Sequence, residues 1–156
     1  MNHGADIQAL WDRCKGFADA IGADYKKSTM DSGEDPTVIE SKVAAYLRSH
    51  PDTHAILALG PDQAMGVLRG VNDAGKAGKL YVATFDLSPD ILKAIQAGQI
   101  QFAIDQQPYL QGYLPVAFLT EYARYGVIPA NNVNTGPGFV TKKNIALVEK
   151  LAGEYR

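Results

Sequence analysis

Apolar runs of strand length alternate with apolar residues at helical spacing along most of this chain. Residues 6–21 carry apolar side chains at intervals of three and four, which predicts an amphipathic helix with Asp6 as its N-cap and Gly22 as its stop. Strand-like runs at 54–59, 80–85 and 100–104 are each followed by a helical pattern, at about 62–75, 89–97 and 108–125. The same reasoning predicts a strand at 23–30, a helix at about 36–49 and a closing helix at about 142–152.

This alternation indicates the fold class. Strands separated by helices of about 10–15 residues favour right-handed βαβ units, and therefore an α/β, Rossmann-like parallel sheet flanked by helices. The first helix has no strand before it, although the first strand of a doubly wound sheet is usually central. We therefore expect either a substitute for that strand or a chain that starts partway through a larger protein.

Polar residues stop two of the strand-like runs abruptly. Asp86 ends Tyr81-Val82-Ala83-Thr84-Phe85, and Asp105-Gln106-Gln107-Pro108 ends the next run. Because ligands bind in the crevice at the carboxyl ends of parallel strands, these residues indicate a small-molecule site. A nucleophile paired with a base, or a glycine-rich nucleotide fingerprint, is not recognisable. The pattern favours a binding protein over an enzyme.

Composition narrows the function further. The chain has 156 residues and a net charge of −2, which suits one globular domain and gives no general attraction to nucleic acid. Its single cysteine, Cys14, lies on the apolar stripe of the first helix and excludes an internal disulfide or a multi-cysteine metal site. The three histidines show no metal-ligand spacing, so we expect neither a metal nor a cofactor.

Four segments carry a resemblance to a known family. They are Trp11-Asp12-Arg13-Cys14-Lys15-Gly16-Phe17, Ser49-His50-Pro51-Asp52, Phe85-Asp86-Leu87-Ser88-Pro89-Asp90 and Asp105-Gln106-Gln107-Pro108 with Gly112. In this order and spacing they resemble the C-terminal portion of type 1 periplasmic sugar-binding proteins, the ribose-binding-like receptors of ABC transporters. The resemblance runs from about residue 4 to the end of the chain.

The resemblance implies a fragment of a two-lobed receptor. Residues 1–107 would be the C-terminal ligand-binding lobe without its first strand, and 108–130 a helix and connection that pack on an absent N-terminal lobe. Residues 131–156 would return to the first lobe and close it. The first residues have no basic and apolar leader pattern, so we expect no signal peptide in this chain, while the resemblance implies a periplasmic location. Exposed strand edges could support a homo-oligomer.

Three ligand-binding residues carry over by position: Arg13 in the first helix, Asp86 and Gln106 after two strands. A guanidinium donates hydrogen bonds to sugar hydroxyls, a carboxylate accepts them, and an amide does both. Each also has a plainer reading, as a solvated charge or a turn residue. Four further residues are candidates for ligand contact, although packing is the stronger reading for the first of them: Trp11, Gly60, Asp62 and Gln107. Gly60-Pro61-Asp62 stands where many members of that family have an asparagine, so the resemblance does not identify the sugar.

The implied function is capture of a sugar between two lobes and delivery to a membrane permease. The alternative is the effector-binding lobe of a LacI-type transcription regulator, which shares this fold. A flavodoxin-like or Rossmann-like enzyme is a weaker third hypothesis, because the chemistry that it needs is not recognisable in the sequence.

Overall fold

Within the residues that the structure describes, four short strands form one sheet, and helices cover it. The computed structural model describes residues 1–155. Its elements, in chain order, are α1 (Gln8–Ile21), α2 (Tyr25–Ser28), α3 (Pro36–Ser49), β1 (Ala55–Ala58), α4 (Pro61–Asp73), β2 (Tyr81–Phe85), α5 (Pro89–Gln96), β3 (Phe102–Asp105), α6 (Pro108–Tyr125), β4 (Gly138–Val140) and a 3₁₀ turn at Ile145–Leu147.

The sheet confirms the predicted α/β class and most of the predicted strand directions. β1, β2 and β3 are parallel neighbours, whereas β4 runs antiparallel to β3, with Phe139 opposite Ile104. The sheet is therefore mixed rather than wholly parallel. An antiparallel edge strand on an otherwise parallel sheet is common in such folds.

The larger of two apolar clusters holds α3, α4 and α5 against β1 and β2, and the smaller one packs α1 on the other face of the sheet through Leu10, Cys14, Leu57, Leu59 and Ala83. Ile39, Val43, Val67, Ile91 and Val82 are almost completely buried in the larger cluster. Helices α3 and α4 approach closely because Gly66 and Gly70 have no side chains: a Cβ on Gly70 would lie 2.6 Å from the Glu40 carbonyl oxygen. This packing fixes α4 behind β1 and so fixes the loop that joins them.

Helix ends follow the predicted capping signals in part. Asp35 accepts from the backbone N–H groups of Thr37 and Val38 at the start of α3, and Ser88 accepts from Ile91 N–H at the start of α5. Gly22 ends α1 in the left-handed conformation, as expected. Asp6 is not the N-cap of α1, since Ile7 occupies that position and makes no side-chain cap.

Two predicted elements were wrong. The segment 23–30 is not a strand: Asp24 accepts a hydrogen bond from Lys26 N–H and starts the helical turn α2. An aspartate in this position favours a helix start over continued extension. The closing helix at 142–152 is reduced to the 3₁₀ turn and hydrogen-bonded turns. The Asn144 side chain competes there with helical backbone hydrogen bonds, because it accepts from Thr141 N–H and donates to the Phe139 carbonyl.

Met1 and Asn2 occupy part of a strand position beside β1. The Met1 ammonium donates to the Leu57 carbonyl of β1, while Asn2 forms a parallel bridge with Asp31. Asn2 N–H donates to the Met30 carbonyl and Ser32 N–H donates to Asn2. The rest of the strand position is a cleft of about 260 Å³ between β1 and residues 28–30. Apolar side chains that line it include Cys14, Phe17, Ile21, Val43 and Tyr46.

Helix α6 leaves this core. None of its 18 residues is buried, and its exposed apolar side chains include Tyr113, Val116, Leu119 and Tyr122. Across the residues that the structure describes, every helix is too short or too polar to cross a bilayer. An apolar cavity of about 440 Å³ separates α6 from residues 128–135.

The cleft beside β1 predicts how the chain responds to an added strand. A variant extended before Met1 by Val-Ile-Val-Ala-Val should be more stable than the parent by about 1–3 kcal/mol, because alternate side chains enter the apolar cleft and the backbone pairs with β1. Thermal unfolding followed by circular dichroism measures the effect. The matched control carries Gly-Ser-Gly-Ser-Gly. Equal melting temperatures for the two extended chains would contradict the strand-shaped cleft.

Candidate ligand-binding site

The carboxyl ends of β1, β2 and β3 place polar groups at one edge of the sheet. Two of these positions, Asp86 after β2 and Gln107 after β3, have left-handed backbone conformations with φ of 63° and 56°. Residues other than glycine adopt this conformation at a cost, and it concentrates at functional sites. The backbone there is held from both sides, since Asp86 N–H donates to the Ile104 carbonyl and Gln107 N–H to the Asp105 carboxylate.

Arg13, Gln106 and Asp86 form one hydrogen-bonded relay across this edge. Arg13 Nη2 donates to Gln106 Oε1 at 2.9 Å, and Gln106 Nε2 donates to Asp86 Oδ1 at 2.7 Å. The first bond uses the amide oxygen of Gln106 as an acceptor, and the second uses the amide nitrogen as a donor. The structure therefore brings together the three leading sequence candidates, although they lie in α1, directly after β2 and directly after β3.

Two further contacts orient the Arg13 guanidinium. Nη1 donates to the Leu59 carbonyl at 3.0 Å, and Cζ lies 4.4 Å from the centre of the Phe85 ring. A guanidinium over an aromatic face gains a cation–π attraction of about 0.5–2 kcal/mol, which is larger where water is excluded. Phe85 is thus a platform for Arg13. The sequence analysis did not assign it this role, and its only signal was a position one residue before Asp86.

An open cavity of about 640 Å³ lies beside the relay. Arg13 and Asp86 border it together with Gly60 and Asp62, so two of the further candidates share this space. Gly60 lies close to the Gln63 side chain: a Cβ added there would be 2.6 Å from Gln63 Oε1. The glycine at the end of β1 therefore keeps the wall of the cavity free of a side chain.

The remaining candidates lie elsewhere. The Trp11 indole N–H donates to the Ala5 carbonyl, and its ring meets the edge of Tyr25 at 6.3 Å between centroids. Trp11 and Gln107 are not among the residues that border the cavity. Trp11 is half-buried and lies outside both apolar core clusters. A ligand role for either residue stays a prediction.

Gln106 borders a different cavity, of about 380 Å³, on the side of residues 133–137. Its backbone carbonyl accepts hydrogen bonds from Thr135 Oγ1 and Gln111 Nε2. The segment after α6 is thereby tied to the strand end that carries the relay.

His3 and Glu34 are cavity residues that the sequence analysis missed. They reach the site because Met1 and Asn2 follow the strand path beside β1, which the residue pattern did not reveal. Burial lowers the pKa of His3, and Arg13 and the Met1 ammonium act in the same direction, against the opposing carboxylate of Glu34. The imidazole is therefore neutral near pH 7. Within residues 1–155, no cluster of three or more metal-ligating side chains occurs.

Comparison with known proteins gives this geometry a context. A family model described as a periplasmic binding protein domain matches residues 1–126. The xylose/arabinose-binding protein XylF of Sulfolobus acidocaldarius is 32% identical over 139 residues, covering 85% of this chain and 35% of XylF. The ribose import binding protein RbsB of Salmonella typhimurium is 34% identical over 107 residues, covering 67% of this chain and 36% of RbsB.

A solved structure has a similar fold. The carbohydrate transporter from Acidothermus cellulolyticus in complex with myo-inositol superposes with a TM-score of 0.82 at 35% identity. The match covers 92% of this chain and 50% of that protein. This chain therefore spans about a third of the length of the curated relatives and half of the structural one.

The left-handed backbone at Gln107 predicts a stabilising substitution. Gln107→Gly should raise the free energy of unfolding by about 0.5–1 kcal/mol, because glycine adopts positive φ without the steric cost. Gln107→Ala removes the same side chain but keeps the cost, and should give no gain. Urea unfolding of both variants measures the difference. A Gly variant no more stable than the Ala variant would contradict the assigned conformation.

Two basic groups with lowered pKa values predict the pH dependence of stability. Burial lowers the pKa of both the Met1 ammonium and His3, so the unfolded chain binds protons first as the pH falls. The free energy of unfolding is therefore highest above about pH 8 and falls as the pH decreases toward about 5. Proton uptake by Met1 in the unfolded chain causes the first part of the fall, and proton uptake by His3 causes the second. Melting temperatures across this range measure it. His3→Gln should reduce the change in melting temperature over the lower half of this pH range. The control His54→Gln, at an exposed position, should not. Equal slopes of melting temperature against pH in the parent and both variants would contradict this prediction.

Proposed function

Because this chain belongs to the periplasmic binding protein domain family, we propose that its strand-end cavity binds a sugar or a sugar-like polyol as one half of an ABC-transporter solute receptor. The observation that carries the proposal is the relay from Arg13 through Gln106 to Asp86 at the wall of an open cavity. The matched relatives are named as binding proteins, so we propose no catalytic role.

The chemistry of the relay suits hydroxyl groups. Asp86 has a second carboxylate oxygen besides the one that accepts from Gln106, and a carboxylate accepts from more than one donor. A sugar hydroxyl can donate to that oxygen and accept from a neighbouring group. Since a buried polar group left unpaired costs about 1–3 kcal/mol, fixed partners of this kind reject the wrong hydroxyl arrangement.

The named ligands of similar proteins support this class of molecule. The structural relative with 35% identity is in complex with myo-inositol, and the relatives with 32% and 34% identity are named for xylose or arabinose and for ribose. All of these are small, neutral and polyhydroxylated. We propose a ligand of that kind for this chain, without choosing among them.

Helix α6 supports the proposal that the ligand is held between two bodies. Its exposed apolar side chains, with those of Val127 and Ile128, form a surface that water solvates poorly. We propose that this surface, within residues 108–130, packs on a second lobe that completes the clamp. Residues 131–156 then return to the first lobe through β4. The complete receptor would work outside the cytoplasmic membrane with a permease.

A titration of this chain tests the proposal. Because only one wall of the clamp is present, we expect weak, saturable binding of myo-inositol, D-ribose, D-xylose or L-arabinose, in the millimolar range rather than the micromolar. Amide shifts in nuclear magnetic resonance (NMR) spectra should cluster around Arg13, Asp86 and Gln106. Asp86→Asn should weaken binding by about tenfold, since it removes a charged acceptor.

Asp90→Asn is the matched control, because Asp90 is an exposed carboxylate paired only with Lys93 in the adjacent helix turn. It should leave the affinity unchanged. Thermal unfolding of each variant separates loss of binding from loss of fold. Saturable shifts that ignore Asp86→Asn, or no saturable shift with any of the four ligands, would contradict the proposed site. Micromolar binding by the monomer would contradict the two-wall clamp.

A further inference from the structure

His3 lies on a wall of the cavity for which the proposed function gives no role. Its ring carbon Cε1 is 3.7 Å from the point where a Cβ on Gly60 would stand. The ring borders the same cavity as Glu34, Asp62, Arg13 and Asp86. His3 thus faces the space that the proposed ligand would occupy, from the N-terminal segment rather than from α1 or β2.

The two ring nitrogens of His3 are in different environments. Nδ1 is buried and, within residues 1–155, has no hydrogen-bond partner. Nε2 is not among the buried nitrogens without a partner, and the ring is only partly covered, so this nitrogen is the accessible one. His3 is a lining residue of the cavity, and its Cε1, which is bonded to Nε2, lies close to Gly60 of the same wall.

This difference selects a tautomer. A neutral imidazole carries one proton, and placing it on Nδ1 would create a buried N–H group without an acceptor. Orphaned N–H groups are rarer and less tolerated in proteins than under-satisfied acceptors. The proton is therefore on Nε2, where it is available to an acceptor in the cavity.

The charges around the cavity make such a donor useful. Glu34, Asp62 and Asp86 bring three carboxylates, which are acceptors. Arg13 is the guanidinium of the cavity wall, and one N–H group of each terminal nitrogen already donates within the protein, to Leu59 and to Gln106, so part of its donor capacity is used. A ligand hydroxyl that donates to one of these carboxylates still needs a donor for its own oxygen.

We propose that His3 is a further ligand-contacting residue, whose Nε2–H donates to an oxygen of a neutral polyol bound in this cavity. The proposal rests on the proposed function and adds a second polar wall, formed by His3 and Glu34, to the wall formed by the relay. The three carboxylates also disfavour an anionic ligand such as an acidic sugar. The matching ligand class is therefore an uncharged molecule with hydroxyls on more than one side.

The test uses the complete chain with myo-inositol as the probe. Nitrogen-15 NMR of the imidazoles reports the tautomer directly, and the His3 spectrum should show a protonated Nε2 and a bare Nδ1 at pH 7.5. Addition of myo-inositol to saturation should shift His3 Nε2 and leave His54 unchanged. His3→Phe, which keeps a ring but removes both nitrogens, should weaken binding by about tenfold.

His3→Gln retains an N–H donor and should recover part of the lost affinity, while His54→Phe is the matched control and should have no effect. Glucuronate should bind more weakly than myo-inositol. Binding that is unchanged in His3→Phe but lost in Asp86→Asn would overturn the role of His3 and leave the proposed site standing. A proton on Nδ1 would also overturn it. No saturable binding by the parent chain would overturn both proposals.

Discussion

The hydrogen bonds of the Gln106 amide are the interaction on which the rest of this edge depends. One amide group accepts from Arg13 on α1 and donates to Asp86 after β2, so it joins three elements that are distant in sequence. Its backbone carbonyl also accepts from Thr135, which ties the returning segment to the same point. A hydrocarbon or a charge in this position could not make both side-chain bonds. The relay therefore sets the shape of the cavity wall and the direction of its free polar groups.

The relay also explains why the backbone tolerates conformations that cost free energy. Asp86 has a positive φ, which turns its carboxylate back toward the strand ends, and its N–H is held by the Ile104 carbonyl. Such strain persists only where the surroundings determine the position fully. The Phe85 ring lies under the Arg13 guanidinium and holds it in place for the relay. Burial and hydrogen bonding thus preorganise the site without a ligand.

The sequence predicted the parts that depend on local pattern. The helices α1, α3, α4 and α5, the parallel strands and the strand-end residues Asp86 and Gln106 follow from periodicity and from polar residues at strand ends, and Arg13 from the family resemblance. The sequence analysis missed the segments where a side chain competes with the backbone for hydrogen bonds, such as the helical turn that Asp24 starts in a strand-like segment. His3 was missed for another reason: its place on the cavity wall follows from the path of Met1 and Asn2 beside β1, which is a tertiary contact without a sequence pattern.

The central claim is that Arg13, Gln106 and Asp86 act as one unit. A double-mutant cycle with Arg13→Met and Asp86→Gly, followed by urea unfolding, tests it most directly, because the backbone effect of glycine cancels around the cycle. These two side chains are joined through Gln106, so we expect a coupling free energy of about 0.5 kcal/mol or more. Additive effects, within about 0.3 kcal/mol, would show that the two residues are independent and would contradict the relay.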